Sequence, residues 1–391
     1  MNAFFASVEQ QVQPKLRGEP ICIAPYTGNT GCCIARSYEA KAFGVNICSV
    51  SEAKKLCPRI KIIESRPELY VFYHQQILKV LESFSPHVEV KSVDEFNIRL
   101  SGSERKIENA RKMALEIKQA IRDKVGDYLK CSIGVSSSPY LAKVAGEFKK
   151  PDGLVALSLA ELAKFYRQIK LTDLPGINFR MEQQLNYKGI KTASGFYTQS
   201  LSDLSAKFGY TGRLWFYRLR GWEVDEPPVG TKSIGHSHVL APEYRNRISA
   251  RRVLAKMAEK CAKRLRAKNL WSSGVYLYVL FLGGGGVKRH LATDLICDSR
   301  SIQKAALALY DACRIKKPPL KIAVTLFNLK QIQNEQISLF SDIEKSKRIS
   351  KALDEINDKY GDDTIYPASM FDTEDAAPNR IPFGDPGRLS F

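Results

Sequence analysis

His87-Val88-Glu89-Val90-Lys91-Ser92-Val93-Asp94-Glu95-Phe96-Asn97-Ile98-Arg99-Leu100 is the stretch whose reading governs the rest of the chain. Apolar and polar residues alternate on both sides of Asp94, the period of a half-buried strand. Adjacent side chains on a regular strand point to opposite faces. Asp94 and Glu95 therefore share one site only where the strand ends, bulges or turns. Alone, an Asp-Glu pair in such a run reads as a polar turn, and the surrounding chain is what changes that reading.

Upstream, Leu69–Phe84 reads as a helix, and Ile21–Ala24 and Ile60–Ile63 read as short strands. Downstream, Glu104–Val125 is an amphipathic helix and Leu129–Val135 a strand. This alternation through residues 1–157 predicts a mixed α/β domain with partly antiparallel sheet. Residues 158–225 read as helical with short loops, and 231–330 return to strand–helix alternation. Lys149-Lys150-Pro151-Asp152-Gly153, the segment Gly221 to Gly230 and the segment Ile315 to Pro319 read as turns or linkers. No repeat with a period of about 20 to 50 residues is present, which excludes solenoids and propellers.

The 391 residues suit roughly two to four domains. Lys plus Arg is 60 and Asp plus Glu is 41, a net charge of +19 that attracts polyanions, nucleic acid before an anionic membrane surface. Hydrophobic residues make up 44%, enough for real cores. The longest apolar run, Val275–Leu282, has eight residues, whereas a membrane-spanning helix needs about 20. The first ten residues lack a basic start and a cleavage site. The reading is therefore a cytoplasmic protein with no membrane partner. Nine cysteines are scattered without a C-x-x-C pair, so zinc-ribbon and disulfide-framework readings fail. The cysteines are expected as small buried apolar residues in a reducing compartment.

One helix is unusually basic. With Ser249 as its cap, Val253, Leu254, Met257, Cys261 and Leu265 share one face. The other positions hold Arg251, Arg252, Lys256, Lys260, Lys263, Arg264, Arg266 and Lys268, with Glu259 as the only acid. We expect Arg252, Lys256, Lys260 and Lys263 to bind DNA phosphates.

Four strings follow one another in order: Asn2-Ala3-Phe4-Phe5-Ala6-Ser7, Ser37-Tyr38-Glu39-Ala40-Lys41-Ala42-Phe43-Gly44-Val45, Ser92-Val93-Asp94-Glu95 and Lys149-Lys150-Pro151-Asp152-Gly153. Their order and spacing resemble the Y-family translesion DNA polymerases, a group that includes the UmuC and DinB types. The resemblance covers about residues 1–340. It implies an α+β multidomain fold shaped as a right hand. The palm would comprise residues 1–8 and 68–157, the fingers 9–67, and a helical thumb with a helix-hairpin-helix 158–228. An α/β little finger would span 231–330, and a tail with a clamp-binding motif 331–391.

The implied chemistry is template-directed addition of a deoxynucleotide to a primer 3′ end, past damaged bases and with low fidelity. Two Mg²⁺ ions would be the cofactors, and Mg²⁺ prefers hard oxygen ligands such as carboxylates. Asp94 and Glu95 match the family's second and third acidic ligands, and a backbone carbonyl ligand would come from Met1. The family's first acid stands in a D-x-[DN]-x-[FY]-[FY] string, in which Met1 occupies the x. That aspartate would precede the first residue here, and we expect the sequence to start at an internal methionine that also cuts the first palm strand. Phe5 matches the steric gate that excludes a ribose 2′-hydroxyl. The amides of Phe4 and Phe5, with Tyr38, Lys41 and Lys150, would bind the deoxynucleoside triphosphate. Many family members carry arginine where Lys41 stands, and lysine lacks its bidentate fork.

Leu174-Pro175-Gly176-Ile177, followed by Gly189-Ile190-Lys191-Thr192, resembles a helix-hairpin-helix, in which Gly176 and Gly189 would approach primer–template DNA. Asn178 stands where the usual second glycine would be, and it is expected to keep the turn by adopting left-handed dihedrals. Gln336-Ile337-Ser338-Leu339-Phe340 resembles the peptide that binds the bacterial sliding clamp, with Gln336, Leu339 and Phe340 as its anchors. Gly31-Cys32-Cys33-Ile34-Ala35-Arg36 leans to the UmuC type and Tyr38 to the DinB type, so a UmuD-type accessory subunit stays an open alternative. Two rivals differ in class. One is a catalytically inactive, clamp-tethered protein that binds primer–template DNA, motivated by the absent first aspartate. The other is a generic nucleic-acid-binding module indifferent to a primer junction.

Overall fold

The computed structural model describes residues 1–29, 31–225, 230–331 and 343–378. They form two units, divided between residues 226 and 227. The first opens with α1 (Phe4–Val12), β1 (Ile21–Ala24), β2 (Ala35–Arg36), α2 (Tyr38–Ala42), α3 (Val50–Leu56), β3 (Lys61–Glu64) and α4 (Pro67–Glu82). The hairpin β4 (Val88–Ser92) and β5 (Glu95–Ile98) follows, then α5 (Ile107–Lys124), β6 (Ile133–Val135), α6 (Pro139–Phe148) and β7 (Leu154–Ala156). Helices α7 (Leu162–Tyr166), α8 (Phe179–Tyr187), α9 (Ala193–Tyr197) and α10 (Leu201–Arg218) complete it. Strand β1 lies between β2, antiparallel to it, and β3, parallel to it. Strands β6 and β7 pair in parallel.

Helix α1 is apolar on most sides, as a fully buried helix must be. Phe4, Phe5, Ala6 and Val8 join Ile21, Ile23, Tyr70, Ile77, Val93, Ile117 and Ile121 in one core. A smaller core under α2 and α3 gathers Cys22, Ala24, Cys33, Ala40, Val45, Val50 and Ala53. The helical part has its own core around Tyr166, Phe196, Leu204 and Trp215. Leu141, Val144 and Ala145 of α6 belong to that core.

The cysteine expectation needs correcting in part. Cys22 and Cys33 form a disulfide, with Cα atoms 5.9 Å apart. The chain brings them together by running antiparallel beside β1, where the Ile34 amide donates to the Ile23 carbonyl (2.9 Å). Cys57, Cys131, Cys261, Cys297 and Cys313 are buried as expected, but Cys32 is exposed.

The second unit holds β8 (Ser233–Val239), α11 (Arg247–Ala267), β9 (Leu270–Phe281), β10 (Gly286–Ile296), α12 (Ser299–Asp311), β11 (Pro319–Gln331) and α13 (Ile343–Tyr360). Its sheet runs β10-β9-β11-β8, antiparallel throughout. Val275, Leu277, Val279, Ile322, Val324 and Leu326 point to one face and share a core with the apolar sides of α11 and α12. The expected tail is not separate. Met370, Ala376 and Ala377 lie in that same core, and Ser350 Oγ accepts the Ser299 amide at 3.2 Å. No helix among the described residues is long and apolar enough to cross a membrane.

Candidate functional site

Asp94 and Glu95 sit where the strand turns back on itself. Ser92 of β4 pairs with Glu95 of β5, so Val93 and Asp94 make the hairpin turn. Three contacts fix this turn. Val93 is buried in the core. Its carbonyl receives the His74 Nδ1 proton across 2.8 Å, and the His74 ring stacks on Phe96, centroids 5.1 Å apart. Burial lowers the His74 pKa, outweighing the pull of the Val93 carbonyl and the Asp94 charge. Ser92 Oγ donates to Asp94 Oδ1 at 2.9 Å. Lys143 of α6 holds the Glu95 carboxylate at 2.6 Å. Both acids are half-buried, Asp94 in the turn and Glu95 directly after it.

The first two residues tie this turn to the expected triphosphate group. The Met1 amino group donates to the Asp94 carbonyl. The next residue, Asn2, is buried; its Oδ1 accepts the Asp152 amide at 2.9 Å, and its Nδ2 donates to Ser132 Oγ at 3.1 Å. Asn2 also bonds the Tyr38 hydroxyl, whose pKa is raised by burial and by the Glu147 charge. Lys118 clamps the same 150–153 turn, its ammonium donating to the Cys131 and Asp152 carbonyls (2.9 and 2.6 Å) and to Asp152 Oδ1 (2.6 Å). Lys150 pairs with Glu147, and the Lys41 ammonium lies 4.1 Å over the Tyr38 ring. Burial lowers the Lys41 pKa, and the charges of Arg36 and Lys150 lower it further. Tyr38, Lys41 and Lys150 are thus brought together.

Phe4 and Phe5 begin α1, where the first N–H groups have no partner within the helix. The Phe5 ring stacks on Tyr70, with centroids 4.2 Å apart and planes at 12°. The Tyr70 hydroxyl donates to Glu9 Oε1 at 2.9 Å, and the Arg66 guanidinium grips the same buried carboxylate.

The donor chemistry at the acidic turn suits a hard cation such as Mg²⁺: two adjacent carboxylates. Among the described residues no set of three His, Cys, Asp or Glu side chains converges as a metal site.

In the helical part, Gly176 and Gly189 take φ of 93° and 83°, values that favour glycine. Asn178 does not take the left-handed conformation expected of it. It is extended (φ −90°, ψ 174°) and caps α8, its side chain accepting the Met181 amide at 3.0 Å.

The basic helix departs most from expectation. Asn246, not Ser249, caps α11. The chain's own segment 343–378 covers its cationic face. Lys256 is 2% exposed; its ammonium meets Asp363 at 2.9 Å and donates to the Thr373 and Glu374 carbonyls. Lys260 donates to the Ala377 carbonyl at 2.7 Å, and burial together with the Lys256 charge pushes its pKa down to about 8. Lys263 pairs with Asp358 and Asp362 (2.7 and 3.1 Å), and Arg252 with Asp372 at 3.6 Å. Sequence alone had no means of showing that acids about a hundred residues later fold back onto this face. Residues 336–340, with the expected clamp anchors Gln336, Leu339 and Phe340, lie outside the described residues.

The sheet face opposite α11 and α12 is a surface that sequence reasoning missed. It carries Tyr276, Tyr278, Lys288 and Lys321: Tyr278 pairs with Lys288 on one side and Ala323 on the other, and Lys321 with Leu280. Lys288 lies 5.9 Å over the Tyr278 ring. The signal was present as period-two alternation within Val275–Leu280, whose even positions face away from the core.

The comparisons with known proteins agree with this architecture. Residues 1–147 match the impB/mucB/samB family, and residues 231–339 match that family's C-terminal domain. The chain is similar to a DNA polymerase IV of Moorella thermoacetica, 32% identical over 384 residues and 94% of each chain. It is similar to a DNA polymerase IV of Pelotomaculum thermopropionicum, 29% identical over 94% of this chain and 93% of the relative. Among solved structures, a Y-family DNA polymerase chimera of Dbh and Dpo4 shares the fold with a TM-score of 0.70 at 21% identity, covering 84% of this chain and 96% of that one. DinB from Sulfolobus solfataricus shares it with a TM-score of 0.52 at 23% identity, covering 83% and 96%.

Proposed function

This chain belongs to the Y-family of DNA polymerases, and on that premise we propose that it copies DNA past damaged bases from the site built around Met1, Asn2 and the Val93-Asp94 turn. It is a DNA-directed DNA polymerase. The observation that carries the residue assignment is the bridge formed by the first two residues: Met1 touches the acidic turn, and Asn2 touches both Tyr38 and the turn that bears Lys150. A primer terminus at Asp94 and a triphosphate at Lys150 would then be neighbours.

In this reading Asp94 and Glu95 would hold two Mg²⁺ ions, with the Met1 carbonyl as a further oxygen ligand. Bound Mg²⁺ would supply positive charge to the phosphate oxygens and acidify the primer hydroxyl. The rest is done by the chain itself. Lys41 and Lys150 draw the triphosphate in and offset the charge that spreads over its oxygens. The amides of Phe4 and Phe5 meet phosphate oxygens at the start of α1. The Phe5 ring lies under the sugar. Lys143 pairs with Glu95 and would hold its carboxylate in place at the site.

Primer–template DNA would meet two surfaces. The turns at Gly176 and Gly189 would approach the phosphate backbone through their amides. The open sheet face would offer Lys288 and Lys321 to phosphates, with Tyr276 and Tyr278 between them. The covered residues Arg252, Lys256, Lys260 and Lys263 are not part of this proposal. Lys288→Ala with Lys321→Ala is expected to lower the slope of log affinity against log salt by about 1.8, because each lost phosphate contact removes roughly 0.9. Titration of a labelled primer–template at several salt concentrations checks this, and an unchanged slope would remove the sheet face from the DNA path.

The Gln336–Phe340 peptide would tether the enzyme to a bacterial sliding clamp and raise its concentration at the primer end. Extension of a primer with Mg²⁺ and deoxynucleotides tests the polymerase reading. Tight junction binding with no extension would favour the inactive reading.

A further inference from the structure

We propose that Arg36 is a third cationic contact for the triphosphate of the incoming nucleotide, supplying the forked donor that Lys41 lacks. This rests on the triphosphate reading of Lys41 and Lys150. Arg36 is the last residue of β2 and directly precedes Ser37, the cap of α2. In a capped helix, the residue before the cap and the fourth helical residue are side-chain neighbours, a pair that is usually apolar. Here those positions hold Arg36 and Lys41, two cations side by side.

Among the described residues, neither cation has an ion-pair carboxylate within 4 Å. The Lys41 ammonium feels the repulsion of Arg36 and of Lys150, and Glu147 alone opposes them. Glu147 is already held by Lys150. Lys41 therefore feels two cations and one carboxylate that is already engaged, a balance that an incoming polyanion corrects. Arg36 itself is under-satisfied. Its Nε–H is shielded from solvent and has no partner among the described residues, and its terminal nitrogen reaches only Asn46 Oδ1, at 3.4 Å. Leaving a buried guanidinium N–H unpaired is costly. A phosphate pairs with the planar fork of arginine through two parallel bonds, which an ammonium does not offer. The fork that Lys41 lacks is thus present five residues earlier, on the residue before the helix cap.

The test measures the dissociation constant of the next correct deoxynucleoside triphosphate from the protein on dideoxy-terminated primer–template. Arg36→Ala is expected to weaken it at least 10-fold while DNA affinity changes less than 2-fold. Arg36→Gln, which keeps a partner for Asn46, is expected to behave like the alanine variant and serves if that variant does not fold. Adding Lys41→Arg to Arg36→Ala is expected to restore most of the loss, an outcome that a purely structural Arg36 does not allow. Lys41→Ala and Lys150→Ala separate the two layers of the argument. If neither weakens nucleotide binding, the triphosphate reading fails. If both weaken it and the Arg36 variants stay within 2-fold of the parent, or Lys41→Arg gives no rescue, the Arg36 assignment is overturned.

Discussion

Phe5→Ala is expected to let ribonucleotides into the product, lowering discrimination between deoxyribose and ribose by about 100-fold, or about 2.8 kcal/mol at 1.4 kcal/mol per decade. The argument is one of rigidity. A ring excludes a single hydroxyl only if it cannot move aside. Phe5 is 5% exposed at the start of α1 and is stacked flat on Tyr70. Tyr70 is 1% exposed, its hydroxyl is tied to Glu9, and Arg66 closes the set. Burial in this set pushes the Tyr70 pKa up, so its phenol stays a donor to Glu9. Removing the Phe5 side chain opens the floor under the sugar without touching Asp94, Glu95 or the lysines. Insertion of deoxynucleotides should therefore fall far less than selectivity does. Single-nucleotide kinetics with paired ribo- and deoxynucleotides give the ratio, and an unchanged ratio would remove the gate assignment.

Asp94→Ala is expected to lower primer extension at least 1,000-fold, about the upper range for losing one group that stabilises transition-state charge. The comparison is made in the full reading frame. Asp94 occupies the apex of a two-residue turn whose backbone is held by His74, Met1 and the buried Val93. The substitution leaves those anchors in place, so the turn should persist and DNA affinity should change little. Extension at the parental rate would show that the metal assignment is wrong, whatever the fold.

How much of this was legible in the sequence follows from what each reading depends on. The acidic turn was legible because its logic is local: two adjacent carboxylates within a strand pattern can cooperate only at a turn, and Ser92 opposite Glu95 is that turn. The strands and helices flanking it were placed within a few residues for the same reason. The acidic partners of the basic helix were not legible because its apolar face predicts the side that packs on the sheet and says nothing of a second layer. Asp354, Asp358, Asp362, Asp363 and Asp372 supply that layer, and their pairing spans about a hundred residues. Asn178 was read through its tolerance of unusual dihedrals, whereas its capping side chain decided its conformation. The roles of His74, Tyr70 and Lys118 were invisible because each is a non-local contact to a backbone or ring. Arg36 was visible only as part of a subgroup signature until the neighbouring Lys41 gave it a chemical context.

The central claim is that the residues around Met1, Asn2 and the Val93-Asp94 turn perform template-directed synthesis past damage. It is tested most directly by single-nucleotide insertion with Mg²⁺, using the full reading frame and a primer that ends one position before each of the four template bases and before an abasic site. The account predicts insertion of the complementary nucleotide opposite each normal base, measurable insertion opposite the abasic site, and loss of both in Asp94→Ala. Extension that ignores the template base, stalling at the abasic site, or insertion that survives Asp94→Ala would contradict it.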